Sequence, residues 1–235
     1  TYDYTLSNSW YFPERGERIN QMLQENDQHT FNDSIAMQAD HQDLVVVKIQ
    51  KMFKQHQQDL QQAINKLSES QKINAQQALK IVMGFDGNMQ VDSAPGAVLA
   101  LFDYQLTQQL FFDEMGHDKM LWSSFINMNG RSYSAYQDHL LGRENSPFWD
   151  NVKTSDVKES KMDVLALSLA NSISDGQSQL GNNIDQWQLG QLQSYQWESG
   201  GTQMKPFLKF YERWGVSLLS EYMDRGPYPA GGSRN

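Results

Sequence analysis

Two stretches of the sequence hold residues whose types and spacing could do chemistry. Thr1 could serve as a nucleophile if its own α-amine acted as the base. Nucleophiles of this kind open a strand of a layered sheet, however, and the remaining sequence supplies almost no further strands. Glu114 and His117 have the Glu-x-x-His spacing of iron sites in helix bundles, but such sites need a second motif and two more carboxylates. We therefore expect Thr1 to be only the first residue of the chain, and His117 to lie at a helix end.

The other potential catalytic or ligand residues do not form a recognisable site. His29, His41, His56 and His139 are isolated and lack metal-ligand spacing. The absence of Cys excludes disulfides, thiolate metal sites and a Cys nucleophile. The sequence also has no Gly-x-Ser-x-Gly elbow and no Gly-rich phosphate loop. By themselves, the residues predict no mechanism, no cofactor and no metal site in this chain.

The charge balance restricts the partners of the chain. A net charge of −9 argues against nucleic acids and anionic membranes, since both bind clustered Lys and Arg. Lys48, Lys51 and Lys54 lie near one another, but acidic residues flank them and a solvated helix face is expected. No apolar run is long enough to span a bilayer. Because the chain opens with Thr1 rather than Met, we expect it to be a processed or excised part of a longer gene product.

Apolar residues recur at three- and four-residue spacing along most of the chain, which predicts an all-α fold. We expect an irregular multi-helix domain over residues 13–225, after an extended lead-in at 1–12 and before a Gly/Pro-rich exit segment at 226–235. Strand content should be small. The clearest helices are predicted at Glu14–Gln24, from Asp43 to Leu67, and at 119–127, 132–141, 155–180 and 206–223.

Capping and turn signals subdivide this helical pattern. Asn32 or Asp33 is predicted to cap the second helix, and Ser70 to cap a later one. Phe85-Asp86-Gly87-Asn88 is typical of a turn, after which Asp92 and Ser93 lead into a long apolar helix. The stretch at 181–201 is rich in Gly, Gln and Ser and is expected to be irregular.

Several short motifs resemble those of the penicillin-acylase family and follow that family's order. They are Trp10 with Pro13-Glu14-Arg15-Gly16-Glu17-Arg18-Ile19, His29-Thr30 with Met37-Gln38-Ala39-Asp40, Phe85-Asp86-Gly87-Asn88-Met89 with Asp92-Ser93, Ser146-Pro147-Phe148-Trp149-Asp150 with Thr154 and Lys161-Met162-Asp163, and Leu189-Gly190 with Gly231-Gly232. None is specific alone. Five in order, over essentially the whole chain, are not expected by chance.

This resemblance implies a part of an acylase that cleaves linear amide bonds of penicillins or N-acyl-homoserine lactones. In these N-terminal-nucleophile hydrolases a precursor cleaves itself, and the Ser thereby exposed on the β chain attacks the amide carbonyl. The sequence is similar to the helical part of that β chain. Its partners would then be the α chain, the catalytic sheet of the β chain and a small-molecule amide. The resemblance also implies a periplasmic location and calcium as a possible ion of the full enzyme.

Among the family's important residues, Arg18 is the one this chain retains. The resemblance implies that Arg18 supports catalysis by organising charge near the active site, whereas the nucleophile lies outside this chain. The alternative is a surface ion pair between Arg18 and Glu14, one helical turn away. Asp40 and Asp86 are expected to cap helices or tie them together.

The chain departs from the family motifs at three positions, which leaves open whether the parent enzyme is active. Phe85 and Leu189 stand in place of Trp, and Gln193 stands in place of His. A second hypothesis also remains, that of a stand-alone helical binding or scaffold module without catalytic activity. Under either hypothesis we expect this chain alone to be inactive.

Overall fold

The computed structural model describes residues 13–129, 140–197 and 225–232, together with Tyr4. Within these residues the helices are α1 (Glu14–Gln24), α2 (Phe31–Gln38), α3 (Val45–Gln55), α4 (Gln57–Lys66), α5 (Glu69–Gly84), α6 (Ala94–Phe111), α7 (Lys119–Asn129), α8 (Lys161–Leu180) and α9 (Leu189–Leu192). Two 3-10 turns lie at Pro147–Trp149 and Ile184–Gln186, and two strands are β1 (Ser194–Trp197) and β2 (Arg225–Pro229). The predicted all-α class with little strand is confirmed for this part of the chain.

Helix α8 forms the centre of the core and packs against α4, α5 and α6. Its apolar side chains Leu165, Leu169 and Ile173 are fully buried. Other buried positions between and just after them carry small residues, namely Ala166, Ser168, Ala170, Ser172 and Gly176. The two buried hydroxyls donate to carbonyls of the same helix, so no polar group there is left unsatisfied. Small side chains let the neighbouring helices approach α8 closely.

Capping boxes fix the starts of α2, α5 and α8, and each start differs from its predicted position. Thr30 caps α2, with Asp33 three residues inside the helix. Ser68, not Ser70, caps α5. Ser160 caps α8 together with Asp163, so this helix begins at Lys161 rather than at 155. In a capping box each of the two side chains accepts a hydrogen bond from the other residue's backbone N–H. Two N–H groups that have no partner within the helix are thereby satisfied.

The helix predicted from Asp43 to Leu67 is in fact two helices. His56 interrupts it with φ −110° and ψ 26°, and is both the C-cap of α3 and the N-cap of α4. The change of direction lets Leu60 and Ile64 of α4 be buried while α4 packs on α8. An uninterrupted apolar pattern could not indicate this break, because both halves keep helical spacing.

Regular elements occupy most of the described part of the stretch predicted to be irregular at 181–201, and this prediction was wrong there. It contains a 3-10 turn, α9 and β1, which pairs antiparallel with β2. The register places Ser194 opposite Pro229, and Tyr195 opposite Tyr228. The Gly/Pro-rich segment after residue 225 therefore begins as a strand that returns to the helical body.

Several predictions fall on residues outside the described ranges. These are the lead-in at 1–12 apart from Tyr4, the helix at 206–223 and most of the helix at 132–141. Leu140 and Leu141, the last two residues of that predicted helix, are helical. No described helix is both long enough and apolar enough to cross a membrane.

The contact between α8 and Trp187 yields a stability prediction. A Cβ at Gly176 would overlap the indole ring of Trp187 and lie 2.9 Å from Leu101 Cδ1. The buried indole is held in place because its Nε1 donates to the Gly181 carbonyl at 2.8 Å. Gly176→Ala should therefore lower the free energy of unfolding by about 1–3 kcal/mol, measured by urea titration of the purified protein.

Gly84→Ala is the matched control for this substitution. Gly84 is the last residue of α5, and a Cβ there would meet no atom within 4 Å. The free energy of unfolding of the Gly84→Ala variant should stay the same or rise slightly. If Gly176→Ala unfolded at the same urea concentration as Gly84→Ala, close packing against Trp187 would not constrain this position.

Candidate functional site

Arg18 and Asp40 form a bidentate ion pair. Its Nε donates to Asp40 Oδ2 at 3.0 Å, and its Nη2 donates to Asp40 Oδ1 at 2.9 Å. Both side chains are about one-fifth exposed. This geometry fixes the plane of the guanidinium as well as its position. Asp40 follows α2, so the pair ties α1 to the end of α2, and the predicted tying role of Asp40 is confirmed.

The predicted alternative, an ion pair between Arg18 and Glu14, is wrong. Glu14 is buried and pairs instead with Lys48 of α3. Glu14, Arg18 and Met22 are spaced one turn apart and share one side of α1, which faces the body of the protein. The buried residues of α1 are Glu14 and Met22, so one of the two is apolar and the other is charged. Helix α1 is therefore held largely by charge.

Each member of the Arg18–Asp40 pair stabilises the charged form of the other. The hydrogen bonds from Arg18 lower the pKa of Asp40; burial opposes this shift, and the positive charge of Arg18 reinforces it. The hydrogen bond to Asp40 likewise raises the pKa of Arg18. Both groups are ionised at neutral pH, so Arg18 holds a fixed positive charge at this place.

Arg18 lies in a cleft of about 640 Å³ between α1, the end of α2 and the segment after β2. The apolar wall is formed by Ile19, Met22 and Met37, and the polar wall by Arg15, Arg18, Gln38, Asp40 and His41. Gly231 and Gly232 complete the lining. Such a surface can bind an apolar group beside a negative one. Among the described residues, the lining contains no Ser, Thr or Cys nucleophile.

Main-chain contacts bring four distant segments together beside this cleft. Met89 N–H donates to the His41 carbonyl at 3.0 Å, and Gly232 N–H donates to the Met89 carbonyl at 2.6 Å. Gly190 N–H donates to the carbonyl of Val91 at 2.8 Å. A Cβ at Gly231 would lie 2.8 Å from the carbonyl oxygen of Met89, so only glycine permits this approach.

The three departures from the family motifs all occupy packing positions. Phe85 and Leu189 are buried in the core. Gln193 donates from Nε2 to the Gly232 carbonyl at 2.7 Å, and its own carbonyl accepts from Ala230 N–H at 3.1 Å. Through these two hydrogen bonds Gln193 holds the segment after β2 in place.

Asp86 has the structural role that the sequence predicted. Its Oδ1 accepts from Asn88 N–H at 2.9 Å, which caps the turn after α5. Its carbonyl accepts from Gln42 Nε2 at 2.6 Å, which joins that turn to the segment after α2.

Glu114 and His117 do not share a helix face, because α6 ends at Phe111 before the motif begins. His117 has φ 61°, and its ring stacks on Phe112 with the centroids 4.9 Å apart. The predicted helix end is therefore confirmed. Burial, with a smaller contribution from Asp113, raises the pKa of Glu114.

The remaining histidines are dispersed. His29 contacts the Leu23 carbonyl, His41 contacts Gln90, and His56 lies 3.8 Å from Glu144, whereas His139 is outside the described ranges. No three His, Asp or Glu side chains among the described residues are placed to hold a metal ion.

Two ion pairs, each with one buried and one exposed partner, were not predicted from the sequence. One joins Glu14 and Lys48. The other joins Lys161 and Glu144 at 2.6 Å, where the buried ammonium also donates to the Leu141 carbonyl. The position of Glu14, one turn before Arg18 and two before Met22, was the available signal that Glu14 faces inward.

Comparison with known proteins matches the whole chain to one protein family. Residues 1–235 match a family model described as penicillin amidase. The protein named acyl-homoserine lactone acylase QuiP from Pseudomonas aeruginosa is 42% identical over 234 residues, covering 98% of this chain and 28% of that protein. Its namesake from Pseudomonas fluorescens strain Pf0-1 is 42% identical over 205 residues, covering 86% and 25%. The chain thus spans about a quarter of the length of the curated relatives it matches.

The Arg18–Asp40 pair predicts a specific pH dependence. Asp40→Asn should lower the free energy of unfolding by about 1 kcal/mol at pH 7. The folded pKa of Asp40 lies below its unfolded value of about 3.9, so the pair stabilises fully above that pH. The contribution is lost as the pH falls through the folded pKa. Urea titrations of the parent and the variant from pH 7 down to about 3 should therefore converge.

An Arg18→Met background provides the control for this experiment. There, Asp40 has lost its guanidinium partner, so adding Asp40→Asn should change stability far less than it does in the parent. An equal effect of Asp40→Asn in both backgrounds would contradict the ion pair.

Proposed function

The chain belongs to the penicillin amidase family, and from this membership we propose that it is the helical part of a larger amide-hydrolysing acylase. The observation that carries the proposal is the family match, which runs over all 235 residues. The names of the relatives favour N-acyl-homoserine lactones over penicillins as substrates. Both compounds present a linear amide whose carbonyl carbon can be attacked.

The proposed reaction is hydrolysis of this amide through an acyl-enzyme. The Oγ of an N-terminal Ser outside this chain attacks the carbonyl carbon, and its α-amine accepts the hydroxyl proton and returns it to the leaving nitrogen. Water then attacks the ester and releases the carboxylic acid. Hydrogen-bond donors stabilise the oxyanion in both steps. Within this scheme the present chain supplies support rather than a reacting group.

In this proposal Arg18 is a positioning residue. Asp40 holds its guanidinium in a fixed plane at the wall of the cleft. A fixed positive charge favours negative charge that develops nearby, and it needs no reorientation during the reaction. The ionic attachment of α1 serves the same end, because it fixes the backbone on which Arg18 stands.

The motif departures at Phe85, Leu189 and Gln193 are compatible with an active enzyme in this proposal. Their side chains are engaged in packing or in a hydrogen bond to Gly232, so each replacement has a structural use. We also propose a periplasmic location, which fractionation of the source cells would test. A cytoplasmic acylase would refute that part of the proposal alone.

In the acylase that contains this chain, Arg18→Ala should lower kcat/KM for an N-acyl-homoserine lactone by about 10- to 100-fold. The loss follows because the oriented positive charge disappears. Arg18→Lys should recover part of the activity, since it restores the charge without the two-pronged geometry. Release of homoserine lactone measures activity, and thermal unfolding of each variant measures stability.

Lys48→Ala is the matched control, because Lys48 also anchors α1 but does not line the cleft. It should lower stability about as much as Arg18→Ala and leave most of the activity. If the two variants lost activity in proportion to their stability, Arg18 would be an anchor and not a positioning residue.

The 235-residue chain by itself should not hydrolyse acyl-homoserine lactones or phenylacetyl amides, since the proposed nucleophile lies elsewhere. The same assay on the complete gene product should show turnover. Turnover by the isolated chain would overturn the proposed division of labour, and an inactive complete product would favour the helical binding module.

A further inference from the structure

Helix α2 exposes its large apolar side chains and buries none. Phe31 is 80% exposed and Ile35 is 51% exposed, and their four-residue spacing places them on one face of the helix. An eight-residue helix is marginal in water without tertiary packing. The capping box of Thr30 and Asp33 and the ion pair after its last turn hold only its ends.

Helix α1 has the same character. Ile19 is 42% exposed and Leu23 is 47% exposed, and they too share one face. The inward side of α1 is the ionic one, formed by Glu14 and Arg18. This arrangement reverses that of an ordinary surface helix, in which the apolar stripe faces the core.

The cleft lies between α1 and the end of α2, and one positive charge in its lining, that of Arg15, is not paired with a described carboxylate. Ile19 and Met37 line it from α1 and α2, and Arg15 lines it as well. Within the described part of the chain, Arg15 has no ion-pair partner. A partner that fits here has apolar side chains for the exposed faces and a carboxylate opposite Arg15.

We propose that this outer face, formed by Ile19, Leu23, Phe31, Ile35 and the adjoining cleft, is the surface on which the chain docks against the rest of its acylase. The proposal rests on the proposed function, in which the acylase extends beyond this chain. The Pseudomonas aeruginosa relative has about three quarters of its length outside the matched region, so ample polypeptide exists to cover the surface. Docking there also brings the catalytic part of the acylase next to Arg18.

Site-specific photo-crosslinking in the complete acylase tests this surface. A photoreactive benzophenone analogue of phenylalanine replaces Phe31, where the high exposure tolerates the larger ring. After irradiation, mass spectrometry of the digested protein identifies the linked peptides. Links from position 31 to acylase segments outside these 235 residues are expected. Links confined to this chain, links between two copies, or no links would each overturn the proposal.

Ile73 provides the matched control position. It is 62% exposed on α5, but it is the one exposed large apolar residue of that helix, whose other side is buried in the core. The same analogue at position 73 should give at most one-tenth of the links outside this chain that position 31 gives. Equal yields at both positions would count against a specific docking surface.

The activity of the same samples separates this inference from the proposed function. An acylase that hydrolyses acyl-homoserine lactones without links from position 31 refutes the docking surface alone. An inactive protein with those links keeps the docking surface and refutes the proposed reaction.

Discussion

The burial of α8 on nearly every side is the constraint on which the rest of this structure depends. Its large side chains fill the core, and its small ones let α4, α5 and α6 approach closely. Gly176 extends this principle to Trp187, whose ring occupies the space that a side chain would need. The indole in turn fixes the turn before α9, and α9 leads into β1. The packing of α8 thus extends through Trp187 to the segment that leads into β1.

Helices α1 and α2 lie outside this apolar packing and are attached to the rest of the protein by ion pairs. Helix α1 is attached through Glu14–Lys48 and Arg18–Asp40, and the latter pair also attaches the end of α2. A partly buried ion pair fixes direction better than it adds stability, because desolvation offsets much of the Coulomb attraction. Such an attachment fits the positioning role proposed for Arg18 and the docking surface proposed for the outer face of α1 and α2.

Three of the five motifs that carry the family resemblance prove to be neighbours. Segments around His41, Met89, Gly190 and Gly232 meet through main-chain hydrogen bonds beside the cleft. Glycine is required at position 231 by the approach of the Met89 carbonyl. The motifs therefore describe a backbone scaffold, and side-chain differences at Phe85, Leu189 and Gln193 are absorbed by packing around it.

The sequence by itself determined the helical class, the family and the structural use of Asp40 and Asp86, because these depend on local periodicity, motif order and short-range capping. It placed the helix starts wrongly at Ser70 and at 155, since several polar residues compete for a cap and tertiary packing selects one. The break at His56 and the inward-facing charge of Glu14 also depended on distant helices. Only the tertiary structure decided which carboxylate holds Arg18, because Asp40 is 22 residues away and sequence spacing does not report such contacts.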